Sequence, residues 1–289
     1  MKNILEYILF LSFSFLCQIL GLQLSRKFST LITFIFFYVI PIRKEVVFDN
    51  LKHAFPDLSE KEIKNIAYGS YKSFAITLVE ILYLPRINKE QIKDVAKINN
   101  LDLVDRKEKE KNGVILLTAH FGNWEYFAIS TGLNLNKNLS VIVKSQRNPY
   151  VNDWMNKART RLINEVVPLG ISIRNIYQVL LNKGLIGLVA DQRGPEESIK
   201  LDFFGRKTSV YTGPAILSLK MNSPIIYGVA VRQPDYSYKV DFTEISKEDL
   251  PDDYEGKVKV LSERLLIHLE ESIRKNPDQW LWMHKRWKH

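Results

Sequence analysis

Residues 113–127 read GVILLTAHFGNWEYF. The apolar run from Val114 to Leu117 passes through Thr118 and Ala119 straight into His120, Phe121, Gly122, Asn123, Trp124 and Glu125. A short continuous apolar run opened by a glycine reads as a strand buried on both faces. The polar cluster then falls beyond the strand's carboxyl end, where α/β sheets gather their sites. Similar runs follow in LSVIVK (139–144), GLIGLVA (184–190) and PIIYGVAV (224–231), with helical stretches between them near 150–164, 174–183 and 212–221. This alternation predicts an α/β fold, with a central mixed, mostly parallel sheet covered by helices. YSYKVDFTEI (236–245) alternates and reads as an antiparallel edge strand. Residues 254–276 form an amphipathic helix.

Upstream, Ser59 precedes an acidic first turn, as an N-cap does. Ile63, Ile66, Tyr71, Phe74, Leu78 and Ile81 then recur at helical intervals up to Pro85. Residues 88–112 are charged and read as surface helix and loop. At the start of the chain, residues 4–22 are apolar except for Glu6 and Gln18, long enough for a membrane-spanning helix of roughly 20 residues. No A-x-A-like site follows, so an uncleaved anchor is expected rather than a signal peptide. Arg26, Lys27, Arg43 and Lys44 follow the segment and only Lys2 precedes it. The positive-inside rule then puts the following domain in the cytoplasm. LITFIFFYVIPI (31–42) is too short to span and reads either as an interfacial helix or as a packed one. The expected division is 1–42, membrane anchor and interfacial helix, and 43–289, a single α/β domain.

Composition is that of an ordinary globular chain: 289 residues, 46% hydrophobic and 25% charged. The net charge of +9 favours an anionic partner without choosing among nucleic acid, phospholipid and an acidic carrier protein. A single cysteine, Cys17, excludes an internal disulfide. Zinc, metalloprotease and P-loop motifs are missing. The tail QWLWMHKRW (279–287) mixes tryptophan with basic residues, which suits a membrane interface or anionic lipid and would also suit nucleic acid.

His120 and Glu125 would lie about 140° apart on a regular helix. They meet only if His120 sits on the turn and Glu125 in the first helical turn, which Gly122 permits and an Asn123 cap would fix. A carboxylate beside an imidazole holds one tautomer and makes a better general base, and N–H groups at the helix start suit an oxyanion. A structural pairing, or a Glu merely favoured by the helix dipole, reads the same way. Thr118 precedes the strand end and reads as structural, and His284 lacks a second catalytic group nearby.

HFGNWE resembles the signature of the bacterial lipid A biosynthesis acyltransferases, the lauroyl and myristoyl transferases that finish Kdo2-lipid A, within a broader superfamily marked by His-x4-Asp/Glu. NLKHAFPDLSEKE (50–62), VADQRG (189–194), FFGRK (203–207), TGPA (212–215) and QWLWMHKRW (279–287) resemble further family blocks in order, so the likeness covers nearly the whole chain. It implies that His120 is the catalytic base and Glu125 its dyad partner. It also implies acyl transfer from acyl carrier protein thioester, or acyl-CoA, to a hydroxyl of a lipid A precursor of the Kdo2-lipid IVA type, with no metal or other cofactor. Asn123, Arg159, Arg161, Asp191 and Gln192 are the candidate substrate-binding residues. Asp191 and Gln192 follow a strand and face the same edge; one of the two arginines matches a site arginine of the family. Phe203 and Phe204 either wall an acyl pocket or pack in the core, and Lys207 either meets a phosphate or is solvated. An acyltransferase acting on a lysophospholipid, aminolipid or glycolipid is the alternative. A non-catalytic basic protein of membrane surfaces or nucleic acid is a further one, against which the dyad and the anchor both argue.

Overall fold

The structure, a computed structural model, describes residues 1–110, 112–170 and 173–288. In chain order its elements are α1 (Lys2–Phe34), running into a π-helical turn Ile35–Val39, α2 (Lys44–Ala54), α3 (Glu60–Tyr83), α4 (Lys89–Val95), β1 (Ala96–Asn99), α5 (Leu101–Glu110), β2 (Val114–Thr118), α6 (Trp124–Leu135), β3 (Leu139–Val143) and α7 (Pro149–Thr160). There follow β4 (Glu165–Pro168), α8 (Ile173–Leu181), β5 (Leu185–Val189), β6 (Lys200–Phe203), β7 (Arg206–Ser209), α9 (Gly213–Met221), β8 (Ile225–Tyr227), β9 (Val231–Arg232), β10 (Tyr238–Asp241), β11 (Thr243–Glu244) and α10 (Tyr254–Lys275).

Six strands form the central sheet in the order β11-β8-β2-β5-β3-β4. All are parallel except β11, which pairs antiparallel with β8 at one edge. The apolar runs of the sequence are its interior. β2 is buried at every position, because its two faces feed two separate cores. Ile115, Leu117, Ile186 and Leu188 point to a core shared with α2, α9, α10 and the start of α3. Val114, Leu116, Leu185 and Leu139 point to the other, shared with α4, α5 and α6. This is the mixed, mostly parallel sheet covered by helices that the alternation predicts.

Residues 236–245 do not make one edge strand. β10 pairs parallel with β1 and antiparallel with β9 in a separate three-stranded sheet, and only Thr243 and Glu244 reach the edge of the main one. Tyr238, Val240 and Phe242 are buried, so the alternation is real but serves two sheets. The surface segment 88–112 likewise contains β1. On α3, Ser59 closes a capping box: its hydroxyl accepts the Glu62 N–H, and the Glu62 carboxylate accepts the Ser59 N–H at 2.8 Å.

Lys2–Val39 is long and apolar enough to cross a membrane by length and composition. It is not a straight rod. Gly21 (φ 73°, ψ 166°) breaks the helical path into two arms. Residues 31–42 are both packed and exposed: Phe37 is buried against Tyr71 and Tyr68 while Phe34, Tyr38, Val39 and Ile40 face outward.

Candidate functional site

Strands β2 and β5 lie side by side with Thr118 opposite Val189. His120 and Asp191 each stand two residues beyond that pair, so parallel register brings them together. The Asp191 carboxylate accepts the His120 backbone N–H at 3.0 Å through Oδ2 and the ring Nδ1–H at 2.7 Å through Oδ1. The indole N–H of Trp280 donates to Oδ2 at 2.7 Å and completes the cradle. Nδ1 is thereby committed to Asp191, and Nε2 is left as the basic nitrogen of a ring that lines an apolar cleft. Burial would push the imidazole's pKa down. The charge and hydrogen bond of Asp191, with a smaller contribution from Glu125, outweigh it and raise the value, against an opposing effect of Arg159. For Asp191 burial pulls upward, but His120 and the Trp280 N–H hold it below its ordinary value.

The imidazole's hydrogen-bonded partner is therefore Asp191, where the sequence pointed to Glu125. Glu125 sits in the first turn of α6, buried, and Arg159 takes its carboxylate: Nε lies 3.1 and 2.9 Å from the two oxygens and Nη2 2.5 Å from Oε1. Both residues line the same cleft as His120. Burial works against the Arg159 charge, and Glu125 more than offsets it. Of the two candidate arginines only Arg159 is there; Arg161 donates to the backbone carbonyls of Leu84 and Ile87 and closes off the end of α3. Asn123 is not on the cleft wall either. It is fully buried; its Oδ1 caps α6 by accepting the Tyr126 N–H at 2.9 Å, and its Nδ2 donates to Glu80 at 2.8 Å. Gln192 lies on the cleft wall.

Gly122 makes the turn between strand and helix. Its φ is 52°, and a Cβ there would sit 1.8 Å from the Ala230 carbonyl oxygen. The turn is pinned from outside. The Gly122 N–H donates to the Gln279 carbonyl, and Leu281 N–H donates to the His120 carbonyl. The N–H groups of His120 and Gly122 are thus already engaged. Trp124 and Glu125, the first residues of α6, carry N–H groups that lack a helical acceptor by position.

The tail that supplies these contacts is interior, not interfacial. Trp280, Trp282, Arg286 and Trp287 are all buried. Arg286 stacks over Phe203 at 4.8 Å and donates to Thr208 and Ser209, so its charge serves packing. Burial, opposed by Asp191, lowers its pKa to about 10. Phe203 and Phe204 belong to the same core, and Lys207 is an exposed partner of Asp202. His284 accepts the Arg193 N–H at 3.4 Å, and burial, opposed by Asp191, lowers its pKa to about 4. Thr118 is buried and lines the cleft.

The cleft measures about 600 Å³. It descends from His120, Trp124 and Arg159 over the sheet face formed by Val141, Gly187 and Leu139, under Phe127 and Ala128 of α6. Lys144, Arg147 and Arg193 also line it, the first two exposed to solvent. Trp124 stands edge-on to His120 at 4.9 Å between centroids. Three features were absent from the sequence reading: the Asp191–His120 bond, the Trp280 donor and Glu80. Glu80 could have been found, since a lone carboxylate within the apolar run ITLVEILY must be paired if buried.

An imidazole held by a carboxylate on the wall of a mainly apolar cleft can serve as a general base toward a group bound there. A family model described as bacterial lipid A biosynthesis acyltransferase matches residues 2–289. Three relatives resemble the chain over most of its length. They are a lipid A biosynthesis acyltransferase of Haemophilus influenzae (24% identical; 83% of this chain, 75% of the relative) and the lipid A biosynthesis palmitoleoyltransferase of Escherichia coli K12 (23%; 85% and 79%). The third is the lauroyltransferase of the same organism (21%; 85% and 79%). The chain belongs to the bacterial lipid A biosynthesis acyltransferase family and is an acyltransferase.

Proposed function

We propose that this enzyme moves a fatty acyl chain from an acyl carrier protein thioester to a free hydroxyl of a lipid A precursor of the Kdo2-lipid IVA type, at the cytoplasmic face of the inner membrane. The observation that carries the reading is the His120–Asp191 pair, bonded at 2.7 Å, on the wall of the apolar cleft. His120 Nε2 takes the acceptor's hydroxyl proton as its oxygen attacks the thioester carbonyl carbon. The C–S bond breaks, and the leaving thiolate recovers a proton from the imidazolium. Asp191 keeps the ring in the required tautomer and stabilises its charged form. Glu125, fixed by Arg159, adds a second negative charge near the imidazolium. The N–H groups at the start of α6 are the donors offered to the oxyanion.

The relatives' names support a lipid A acceptor. The basic lining residues Lys144, Arg147 and Arg193 favour a donor carried by an acidic protein and a phosphorylated acceptor. The apolar helix Lys2–Val39 supports the membrane. The test is direct. Purified protein is incubated with acyl carrier protein thioester and tetra-acylated Kdo-lipid, and the product is weighed by mass spectrometry. The expected gain is one acyl group, falling by about 10²–10⁴ in His120→Ala. Equal product from His120→Ala would overturn the mechanism; product only from lysophospholipid would overturn the acceptor.

A further inference from the structure

Resting on the membrane reading above, the geometry of the N-terminus points to something other than a crossing helix: we propose that residues 2–42 form a bent helical hairpin that lies in one leaflet of a phospholipid bilayer. Three observations carry this. The first is the bend. Gly21 leaves helical φ/ψ, the Ser25 hydroxyl donates back to the Cys17 carbonyl at 3.0 Å, and the rings of Phe13 and Phe28 stand 6.4 Å apart. In a continuous helix those two residues would be about 22 Å apart along the axis. The two arms, 2–20 and 22–39, are therefore folded toward each other, and the sequence's length argument for a span, made on a straight rod, loses its premise.

The second is what the first arm touches. The Asn148 side chain donates to the Asn3 carbonyl at 2.8 Å and to Glu6 at 3.2 Å. Tyr7 stacks on Tyr150, Phe10 meets Trp154 edge-on, and the Ser14 hydroxyl donates to the Leu82 carbonyl at 3.0 Å. Cys17 is buried among Ala75, Val79 and Leu82. Positions 3, 6, 7, 10, 14 and 17 trace one helical face, so the arm is docked on α3 and α7 along its whole length. Beside the docked arm, Arg147 just before α7 and Asp153 on it are both exposed. Crossing the bilayer in this docked state would carry those charges into hydrocarbon, which membranes exclude.

The third is the opposite face. Leu5, Ile8, Leu9, Phe15 and Ile19 are each more than half exposed, and Val39 and Ile40 continue the apolar surface on the second arm. A large one-sided apolar surface on a helix held against a water-soluble body is the form of an in-plane membrane helix. Arg26, a residue on which the positive-inside argument leaned, is not at the lipid boundary; it is buried against Glu80 at 2.8 Å. The arrangement also has a use. Asn148, which holds the start of the first arm, directly follows Arg147, an exposed residue that lines the cleft. The cleft mouth therefore opens beside the leaflet, and a lipid acceptor reaches His120 without leaving it.

The experiment uses the full-length protein with Cys17→Ser and an environment-sensitive fluorophore on Leu5→Cys or Ile19→Cys, reconstituted in vesicles of phosphatidylethanolamine and phosphatidylglycerol with spin-labelled quencher lipids. The two positions are about 21 Å apart along the arm. The hairpin predicts equal, shallow depths at both; depths differing by about 20 Å would overturn it. In cells, Lys2→Cys and Lys275→Cys in the same background are exposed to a membrane-impermeant maleimide in spheroplasts and in inverted vesicles. Both are expected to react from the same side. Reaction of Lys2→Cys from the side opposite Lys275→Cys would restore the crossing helix and leave the membrane reading intact. Recovery of the protein wholly outside the membrane fraction would sink both.

Discussion

At the scale of the residue, His120 is the proposed base, and its environment sets a testable pH dependence. Burial lowers the imidazole's affinity for protons, and Asp191, aided by Glu125, raises it by more. A general base acts in its neutral form, so kcat/KM should rise with pH through a value above the ordinary imidazole range of about 6.5. Asp191→Asn keeps the size of the side chain and removes the charge, while burial and Arg159 remain. The acid limb of the profile should then move to lower pH, and the rate at its plateau should fall on the order of 10³-fold, because the tautomer is no longer enforced. A limb that stays in place would mean that Asp191 does not face the titrating group. Half of this pair was legible in the sequence. His120 announced itself at a strand end, and Asp191 was placed at the same edge by the strand before it. Their contact was not legible, since it depends on β2 and β5 being neighbours in register, with Thr118 opposite Val189. Glu125, nearer in sequence, was the natural partner to expect, and it is taken by an arginine 34 residues away.

At the scale of the element, the strands that could be read were those whose burial is continuous. β2, β3 and β5 are apolar runs because both faces of the sheet are covered. β1, β9 and β11 are two to four residues long, too short for any period to show, and they exist because distant segments pair with them. The tail was misread for a related reason: tryptophan beside arginine looks interfacial, and only packing shows Arg286 lying on Phe203. On β5, Gly187 shares a face with Leu185 and Val189 and leaves the space that becomes the cleft. A Cβ there would stand 3.3 Å from the Leu139 side chain. Gly187→Val should raise the floor. Each methylene that no longer fits costs about 0.8 kcal/mol, roughly fourfold in kcat/KM. Assayed against a series of acyl donors, the variant should lose the longest chains first and keep the shortest. A uniform loss at every length would place the chain elsewhere.

At the scale of the whole molecule, the boundary at residue 42 suggested by hydropathy does not separate two independent bodies. Cys17 and Ile32 share a core with Ala75, Val79 and Leu82, and Phe37 packs into the main core. Arg26 reaches from the hairpin to Glu80, whose other oxygen accepts from Asn123 at 2.8 Å and from the Tyr238 hydroxyl at 2.5 Å. One buried carboxylate thus ties the N-terminal segment to the cap of α6, and through it to the turn that carries His120. Removing residues 2–42 should therefore give aggregated protein rather than a soluble enzyme. A soluble truncation with native near-ultraviolet circular dichroism would disprove this coupling. The gentler variant Arg26→Met leaves Glu80 with Arg232, 4.0 Å away, as a cation near it. Breaking a buried pair from one side costs about 3–5 kcal/mol. In detergent that corresponds to a fall in melting temperature on the order of 10 °C. Because Glu80 also holds Asn123, the loss should reach the active site, lowering kcat at temperatures where Arg26→Met is still folded. If the melting temperature falls while kcat holds, Arg26 acts in stability alone and the link from the membrane segment to the catalytic turn is broken at Glu80.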